Sequence, residues 1–317
     1  MRPPYDITPS ILKRVSSIAE KIGEVNARYL SKQSPQLRKQ NRIKTIQSSL
    51  QIEGNTLTTE QITALIENKR VIGPKKDITE VQNAIQVYDE LNSYKPHSEK
   101  AFLKAHAALM KGLIDPVGKY RNQSVGIVKG EKLEHVAPPF QNVPYLMKDL
   151  FAYLKDADEL TLIKSCVFHY EMEFIHPFLD GNGRMGRLWQ TVILLQDFPV
   201  FEFLPFEKLI SETQNEYYKS LSESDKLGKS TTFIEYMLEV IDKSLAELLN
   251  YTQRNLKDTD RLEYFLGQGF TEFSRKDYMR VFKDISTATA SRDLKKGLEL
   301  NLFESSGELN KTRYFIK

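Results

Sequence analysis

The sequence predicts a mainly α-helical protein of about two domains, and three observations support this prediction. The chain has 317 residues, against a typical domain size of roughly 150 residues. It contains only 15 glycines and 13 prolines, so few positions interrupt a helix. Apolar residues recur every three or four positions through most of the chain, which is the spacing of one helix face.

The composition excludes several classes of protein. Apolar residues make up 40% and charged residues 27% of the chain, the ordinary mixture of a globular protein. No apolar run approaches the roughly 18–20 residues that span a bilayer, and the first residues lack the pattern of a signal peptide. The single cysteine, Cys166, excludes intrachain disulfides and multi-cysteine zinc sites. We therefore expect a cytoplasmic protein without membrane attachment, whose net charge of +3 does not predict nucleic-acid binding by the whole chain.

The N-terminal part is expected to be helical throughout. Thr8 is a suitable N-cap for the first helix, and Gly54 ends the second. Thr58 begins a capping box with Gln61, which opens the third helix. The predicted helices lie at 8–30, 40–53, 59–68, 77–93 and 98–114.

The pattern changes between residues 116 and 140, where glycines and prolines surround a short β-branched run and predict a small β-hairpin. Helices are then expected at 143–155, 160–174, 185–196, 206–222 and 231–250. The polar stretch 252–260 is interpreted as a domain boundary. Two or three short helices follow it, with strands at 302–305 and 313–316 around a turn at Gly307.

The segment richest in chemistry connects the helices predicted at 160–174 and 185–196. It begins with His176-Pro177, and the proline disfavours helical geometry at His176. Glycines on both sides of Asn182 permit positive φ angles there. A helix that starts at about Gly183 turns its N–H groups and positive dipole end towards this loop, which favours anion binding.

Charged side chains complete the same segment. Arg184 and Arg187 lie three residues apart, on one face of the new helix, and the carboxylate of Asp180 can hold a metal ion. Backbone donors, two guanidinium groups and a carboxylate together indicate a polyphosphate site.

Three other interpretations of nearby motifs are less favoured. The run Gly181–Gly186 matches GxGxxG, but a helix precedes it, whereas the dinucleotide motif follows a strand. The run Gly228–Ser230 resembles the end of a P-loop whose required first glycine is a glutamate here. His169, Glu173 and His176 lack the HExxH spacing of a zinc site, so His169 is interpreted as a structural histidine.

The twelve residues HPFLDGNGRMGR, His176 to Arg187, resemble the signature HPFx[D/E]GNGRxxR of the Fic (Fido) family at every defined position. The resemblance covers about 98–240 and implies a helical Fic core with a β-hairpin flap, within a catalytic domain at 98–250. The flanking domains are then expected at 1–97 and 258–317. The resemblance to the Fic family also implies an enzyme that transfers AMP from ATP to a hydroxyl side chain of a target protein and releases pyrophosphate.

The resemblance assigns roles to the matching residues. His176 is the general base, since an imidazole exchanges protons near neutral pH. Asp180 holds Mg²⁺, and Arg184 and Arg187 clamp the β- and γ-phosphates. Tyr217, in preference to Tyr218, contacts the nucleotide. The remaining ATP-binding residues are Gly181, Asn182, Gly183 and Gly186, and the flap residues that dock the target by strand addition are Val125, Gly126, Ile127 and Val128.

A second motif precedes the core. Residues 49–55 (SLQIEGN) resemble the family's inhibitory motif [S/T]xxxE[G/N], in which Ser49 and Glu53 are the defined positions. Glu53 lies at the end of a helix predicted over about 40–54, where the helix dipole disfavours an anion. The resemblance implies that Glu53 pairs with Arg187 and denies this arginine to the γ-phosphate. The alternative is an ordinary exposed glutamate.

The C-terminal residues 258–317 resemble a winged-helix domain, with 286–300 as a recognition-type helix. Residues 255–317 contain 12 basic and 10 acidic residues, and a net charge of +2 is low for DNA binding. Target recognition or dimer packing is therefore favoured over DNA binding. The expected partners are ATP and a target protein that offers a Ser, Thr or Tyr hydroxyl. A second copy of the chain can be such a target. Whether the chain forms a homodimer is left undecided by the sequence. The alternatives are a DNA-binding regulator whose core senses nucleotide, and a Fic enzyme that transfers a different group.

Overall fold

Two units divide the chain, Met1–Leu245 and Ala246–Lys317, and each is described by itself. The computed structural model describes residues 3–29, 35–129, 132–156, 158–255, 258–267, 269–282, 285–307 and 312–316.

The first unit is helical apart from one hairpin. Its helices are α1 (Pro9–Tyr29), α2 (Pro35–Ile52), α3 (Thr59–Ile66), α4 (Lys75–Asp89), α5 (Glu99–Leu109), α6 (Val143–Asp156), α7 (Thr161–Ile175), α8 (Asn182–Leu194), α9 (Phe206–Glu212) and α10 (Gln214–Leu227). Helix α11 (Thr231–Asn255) runs from this unit into the second one. Short 3₁₀ turns lie at Leu91–Ser93, Phe140–Asn142 and Pro199–Glu202.

The predicted caps are present. The N–H of Ile11 donates to Oγ1 of Thr8 at 3.2 Å, at the start of α1. At α3, Oγ1 of Thr58 accepts from the Gln61 N–H at 3.3 Å and Oε1 of Gln61 accepts from the Thr58 N–H at 2.9 Å. Both patterns satisfy N–H groups that an α-helix leaves without intrahelical partners.

The core of the first unit is built around α7 and α8, which pack against each other and are largely buried. Aromatic rings from several helices meet beside this pair. The ring of Phe102 on α5 lies 5.0 Å from the Trp189 ring and 5.4 Å from the Phe178 ring, measured between centroids. Phe178 belongs to the loop between α7 and α8, so this aromatic cluster supports the loop from beneath.

The predicted hairpin consists of β1 (Gly126–Lys129) and β2 (Lys132–Val136), which are antiparallel. Gly126 pairs with Val136 and Lys129 with Lys132, and the register shifts between Ile127 and Val128. Residues 130–131 lie outside the described residues.

The second unit combines helices with a small antiparallel sheet. Its elements are α12 (Asp258–Leu266), β3 (Glu272–Phe273), α13 (Arg275–Val281), α14 (Thr287–Glu299), β4 (Phe303–Ser306) and β5 (Arg313–Ile316), and the strand order is β3-β5-β4. Its core contains Phe265, Phe273, Tyr278, Leu294 and Phe303. A Cβ at Gly297 would lie 2.2 Å from the Phe303 ring, so a glycine allows this sheet residue to contact α14.

The structure differs from the expected elements in two places. The helix predicted over 206–222 is divided into α9 and α10 at Thr213, whose hydroxyl bonds the Leu209 carbonyl at 2.7 Å. Strand β3 was not predicted, because two residues give no readable alternation. Helix α11 continues through Asn255 into the polar stretch 252–260, and the domain boundary expected there stays a prediction.

In the parts of the chain that the structure describes, every helix is too short or too polar to cross a membrane. Cys166 is buried in α7.

Candidate active site

His176 stands where α7 ends. Its backbone has φ 49° and ψ 61°, the left-handed conformation, and its N–H donates to the Met172 carbonyl at 3.0 Å. This agrees with the prediction that Pro177 ends the helix at this point. The left-handed conformation is uncommon for a residue with a side chain, so the surrounding contacts must hold it.

Asn182 fixes the loop that follows. Its Oδ1 accepts from the Phe178 N–H at 2.9 Å, and its Nδ2 donates to the Phe178 carbonyl at 2.9 Å. The Asn182 side chain is 2% exposed. The amide therefore shapes the loop in this structure, and the phosphate contact that the resemblance implies for it stays a prediction.

His106, which the sequence analysis did not single out, holds the loop from the other side. Its Nδ1 accepts from the Gly118 N–H at 3.0 Å, so Nε2 carries the proton and donates to the Asp180 carbonyl at 3.0 Å. Its ring stacks on Phe178 with 3.6 Å between centroids. Burial lowers the pKa of His106 to about 4, so it is neutral at pH 7. Its position on the inner face of α5 was its only signal in the sequence.

The motif glycines have different physical roles. Gly181 has φ +86° and allows the chain to turn into α8, as predicted. Gly183 does not need a positive φ, contrary to expectation, because it lies in the first turn of α8. A Cβ at Gly186 would lie 2.7 Å from Cδ2 of His169. Gly186 therefore allows α8 to pack closely on α7, and the ATP contact that the resemblance implies for it stays a prediction.

Asp180 is the carboxylate at the mouth of the loop. Its side chain is 46% exposed, and Oδ1 accepts from the Gly181 N–H at 2.5 Å and from Nη2 of Arg184 at 2.8 Å. Mg²⁺ prefers oxygen ligands and is commonly held by one or two carboxylates together with substrate phosphates. A partly exposed carboxylate beside a helix N-terminus fits this requirement.

Arg184 has a second carboxylate partner that the sequence analysis missed. Its Nη1 lies 3.0 Å from Oε1 of Glu80 on α4, and both side chains are only 4% exposed. Oε2 of Glu80 accepts from Nδ2 of Asn55 at 2.8 Å. Glu80 therefore connects the motif arginine to the residue that follows Glu53-Gly54. Its partners are distant in sequence, so no local spacing could have indicated them.

Arg187 makes the ion pair that the inhibitory motif predicts. Its Nη2 lies 2.7 Å from Oε1 of Glu53 and donates to the Ser49 carbonyl at 2.9 Å, while its Nε lies 3.2 Å from the Ser49 hydroxyl. Burial by itself would lower the pKa of Arg187, but the Glu53 carboxylate, together with Tyr217 and Glu173, raises the pKa above its ordinary value. Both Glu53 and Ser49 thus belong to the site.

Tyr217 faces the core of the unit. It is 1% exposed, and its hydroxyl lies 3.1 Å from Nε2 of His169 and 3.4 Å from Oε1 of Glu173. Tyr218, its neighbour, is only partly buried. The nucleotide contact implied for Tyr217 stays a prediction, and Tyr218 is the ring of the pair that reaches solvent.

His169 is the structural histidine that the sequence predicted. Nδ1 bonds Oε1 of Gln190 at 2.6 Å, and burial lowers its pKa to about 3. Within the described ranges no three His, Cys, Asp or Glu side chains are grouped as a metal site would require. The alternative zinc interpretation of His169, Glu173 and His176 therefore gains no support from the structure.

Arg121, which precedes the flap in the chain, connects it to the loop, because its backbone N–H donates to the Pro177 carbonyl at 2.8 Å. Val125 precedes β1, and Gly126, Ile127 and Val128 belong to it. The side chains of 126–136 lie outside the described residues, so their docking role stays a prediction.

Known proteins resemble this chain in sequence and structure. The Fic/DOC family model matches residues 96–194. The crystal structure of a Fic family protein from Desulfovibrio desulfuricans G20 is 40% identical, with a TM-score of 0.78 over all of this chain and 98% of that one. The structure of Fic-1 (residues 134–508) from Caenorhabditis elegans is 24% identical, with a TM-score of 0.63 over 78% of this chain and 74% of that one, and is similar in fold.

Two curated proteins give the similarity a biochemical description. Protein adenylyltransferase fic-1 of Caenorhabditis elegans is 32% identical over 207 residues, and protein adenylyltransferase Fic of Nematostella vectensis is 26% identical over 219 residues. These alignments cover 61% and 63% of this chain but 38% and 47% of the relatives. The chain thus spans less than half the length of these curated relatives.

Proposed function

The chain belongs to the Fic family, and we propose that it is a protein adenylyltransferase, which transfers AMP from ATP to a hydroxyl side chain of a protein. The observation that carries the proposal is the loop from His176 to Arg187. It combines a half-buried histidine, an exposed carboxylate, a helix N-terminus and two buried arginines within twelve residues. The relatives named protein adenylyltransferases support the same activity.

The reaction needs one proton transfer and one substitution at phosphorus. The imidazole of His176 takes the proton of the target hydroxyl, and the hydroxyl oxygen bonds to the α-phosphorus of ATP. The bond from that phosphorus to the oxygen bridging the β-phosphorus breaks, and pyrophosphate leaves with this oxygen. The N–H groups at the start of α8 and its positive dipole end stabilise charge on the α-phosphate.

Asp180 is the residue that would hold Mg²⁺, and the ion when bound neutralises charge on the ATP phosphates. Arg184 and Arg187 bind the β- and γ-phosphates in this proposal. Each arginine is paired with a protein carboxylate, Arg184 with Glu80 and Arg187 with Glu53. ATP therefore competes with carboxylates for these guanidinium groups.

The pair of Glu53 with Arg187 supports a regulated enzyme with an inhibitory helix, α2. A guanidinium held by a carboxylate at 2.7 Å is not available to a γ-phosphate, so ATP binds without its full clamp. Cytoplasmic residence and self-modification stay predictions of the sequence.

The test uses the purified full chain carrying Glu53→Gly, incubated with Mg²⁺ and ATP labelled on the α-phosphate, alone and with a cell lysate. We expect label on protein from this ATP and none from ATP labelled on the γ-phosphate. His176→Ala in the same background should reduce labelling by about 10²–10⁴-fold, as loss of a general base does. Label from the γ-phosphate would indicate phosphate transfer, and nucleotide binding without any labelling would indicate a sensor.

One observation favours a second function for the C-terminal unit, which we propose to be a winged helix on the order of its helices and strands. A groove of about 780 Å³ is lined by four cationic side chains, namely Arg275, Lys276, Arg280 and Arg313. Nearby carboxylates partly neutralise this positive charge, since Asp277 pairs with Arg280 at 3.3 Å and Glu272 pairs with Arg313 at 3.5 Å. DNA binding stays the less favoured candidate for this unit.

The groove can be tested with a fluorescently labelled DNA duplex and the full chain. Binding that weakens steeply between 50 and 200 mM salt, and that Lys276→Gln reduces, would support DNA binding. Absence of binding at 50 mM salt leaves target recognition or dimer packing as the role of the unit.

A further inference from the structure

Arg121 lies between α5 and β1 and is 3% exposed. The acceptors of its guanidinium within the described residues are all main-chain carbonyl oxygens. Nε donates to the carbonyl of His176 at 2.8 Å and Nη1 to that of Gln123 at 2.9 Å. Nη2 donates to the carbonyl of Pro138 and, at 3.4 Å, to that of Ile175.

These carbonyls belong to three separate segments. Gln123 precedes β1, and Pro138 follows β2, so Arg121 binds both ends of the hairpin. Ile175 and His176 form the end of α7, where the backbone is left-handed.

The chemistry of the arginine suits this connection. Burial lowers the pKa of Arg121, because a charged group loses its hydration there. The dipoles of the four carbonyl groups that accept its hydrogen bonds replace that hydration. A planar fork with five N–H donors can reach four carbonyls in fixed directions, whereas a lysine ammonium group cannot.

We propose that Arg121 is a positioning residue for transfer, which holds the flap in register with His176. A target segment that pairs with the flap then presents its hydroxyl to the imidazole. The inference rests on the proposed function, since it assigns His176 the proton transfer. Arg184 and Arg187, which would bind the phosphates, lie on α8 and bond other partners within the described part of the chain, so ATP affinity should depend little on Arg121.

The first test compares variants in the Glu53→Gly background, with self-labelling from α-labelled ATP as the readout. Arg121→Met should lower the labelling rate at saturating ATP by about 100-fold, the scale expected for a displacement of about 1 Å in a reacting pair. Its Kd for ATP should change less than about threefold, and Arg121→Lys should recover part of the rate. Lys119→Met removes an exposed charge two residues away and should behave like the parent.

An unchanged labelling rate in Arg121→Met would overturn the proposal. A parallel loss of rate, ATP affinity and thermal stability would also overturn it, because that result describes a residue needed only for folding. Arg121→Lys keeps the charge and some of the bonds, so it decides the question if Arg121→Met does not fold.

The second test does not depend on activity. Backbone amide hydrogen exchange is followed in the otherwise unaltered protein, at 126–129 and 132–136 in the flap and at Ile175, His176 and Phe178. Arg121→Met should accelerate exchange in both regions by about tenfold or more, and Lys119→Met in neither. Unchanged exchange, or acceleration in the flap alone, contradicts a connection through Arg121. If Glu53→Gly transfers no label, the proposed function fails while this test still decides the connection.

Discussion

Arg187 illustrates how single side chains set the properties of this site. Its guanidinium is 1% exposed and is held by a carboxylate, a carbonyl and a hydroxyl of one helical segment. Asp180, by contrast, has a side chain 46% exposed and meets solvent. A buried cation favours a fixed anionic partner, and an exposed carboxylate favours an exchangeable one. Arg187 is therefore suited to a fixed carboxylate partner and Asp180 to a metal ion that exchanges with solvent.

Asp180→Asn should weaken the binding of the Mg²⁺ that supports labelling in the Glu53→Gly background. The amide keeps an oxygen that can accept from Gly181 and Arg184, but it removes the charge that attracts the ion. We expect the Mg²⁺ concentration for half-maximal labelling to rise by about tenfold or more, as measured in a titration with ATP held constant. An unchanged midpoint would place the metal elsewhere.

The carboxyl group of Glu207 on α9 should make the free energy of unfolding depend on pH. It is fully buried, and burial raises its pKa to about 8 from 4.5. The folded state thus keeps a proton that the unfolded state releases, so stability should fall as pH rises from about 4.5 to about 8, by about 1.4 kcal/mol per pH unit.

Glu207→Gln carries no titrating proton and should lack this component. Urea unfolding monitored by the single tryptophan, Trp189, should therefore give a difference between wild type and variant that grows from pH 5.5 to 7.5. The difference should level off above about pH 8. Parallel stability curves for the two proteins would show that Glu207 ionises normally.

At the scale of elements, contacts across distant helices complete the site. The loop between α7 and α8 was readable because its residues are contiguous, and the chemistry of HPFLDGNGRMGR depends on that local order. Glu80, His106 and Arg121 were not readable, because each acts on a partner brought near by packing. The pair of Glu80 and Arg184, for example, spans 104 positions. Glu53 was found despite a separation of 134 residues from Arg187, because its own segment carries a motif.

The contact between α2 and α8 gives a prediction about inhibition. Glu53→Gly and Glu53→Ala should both increase AMP transfer at saturating ATP and Mg²⁺, because each frees Arg187 for the γ-phosphate. The alanine variant separates the effect of charge from the additional backbone freedom that glycine introduces. The double variant Glu53→Gly with Arg187→Ala should lose most of the gain, as a non-additive pair. Equal rates for wild type and both single variants would leave Glu53 without an inhibitory role.

At the scale of the whole molecule, two units with separate cores form one chain. In the second unit, Arg261 makes two bonds to Asp293, at 2.6 and 2.7 Å, and the Tyr278 hydroxyl adds a third at 3.1 Å. Asp293 is 1% exposed, so loss of its charge would break a buried ion pair with Arg261. The strand and helix order of this unit was largely predicted from the sequence, whereas this buried pair was not.

Asp293→Asn should destabilise the second unit by about 3–5 kcal/mol. Calorimetry should show the transition of that unit at a lower temperature, while the unfolding transition reported by Trp189 fluorescence stays within error of wild type. Arg280→Gln removes an exposed ion pair at 3.3 Å and should change neither transition measurably. Equal shifts of both transitions would mean that the two units unfold together.

In the proposed inhibition, the bonds that hold Arg187 set an equilibrium between a closed form, in which Arg187 is paired with Glu53, and an open form, in which it is released. If the bonds from Ser49 and Glu53 favour the closed form by about 3 kcal/mol, roughly one molecule in 150 is open at 25 °C. Wild-type protein should then retain a basal rate near one hundredth of that of the released variant. An activator that inverts such a ratio must bind the open form about 10⁴-fold more tightly than the closed form. Ligands that bind the open and closed forms with similar affinity would leave most molecules in the closed form at any ligand concentration.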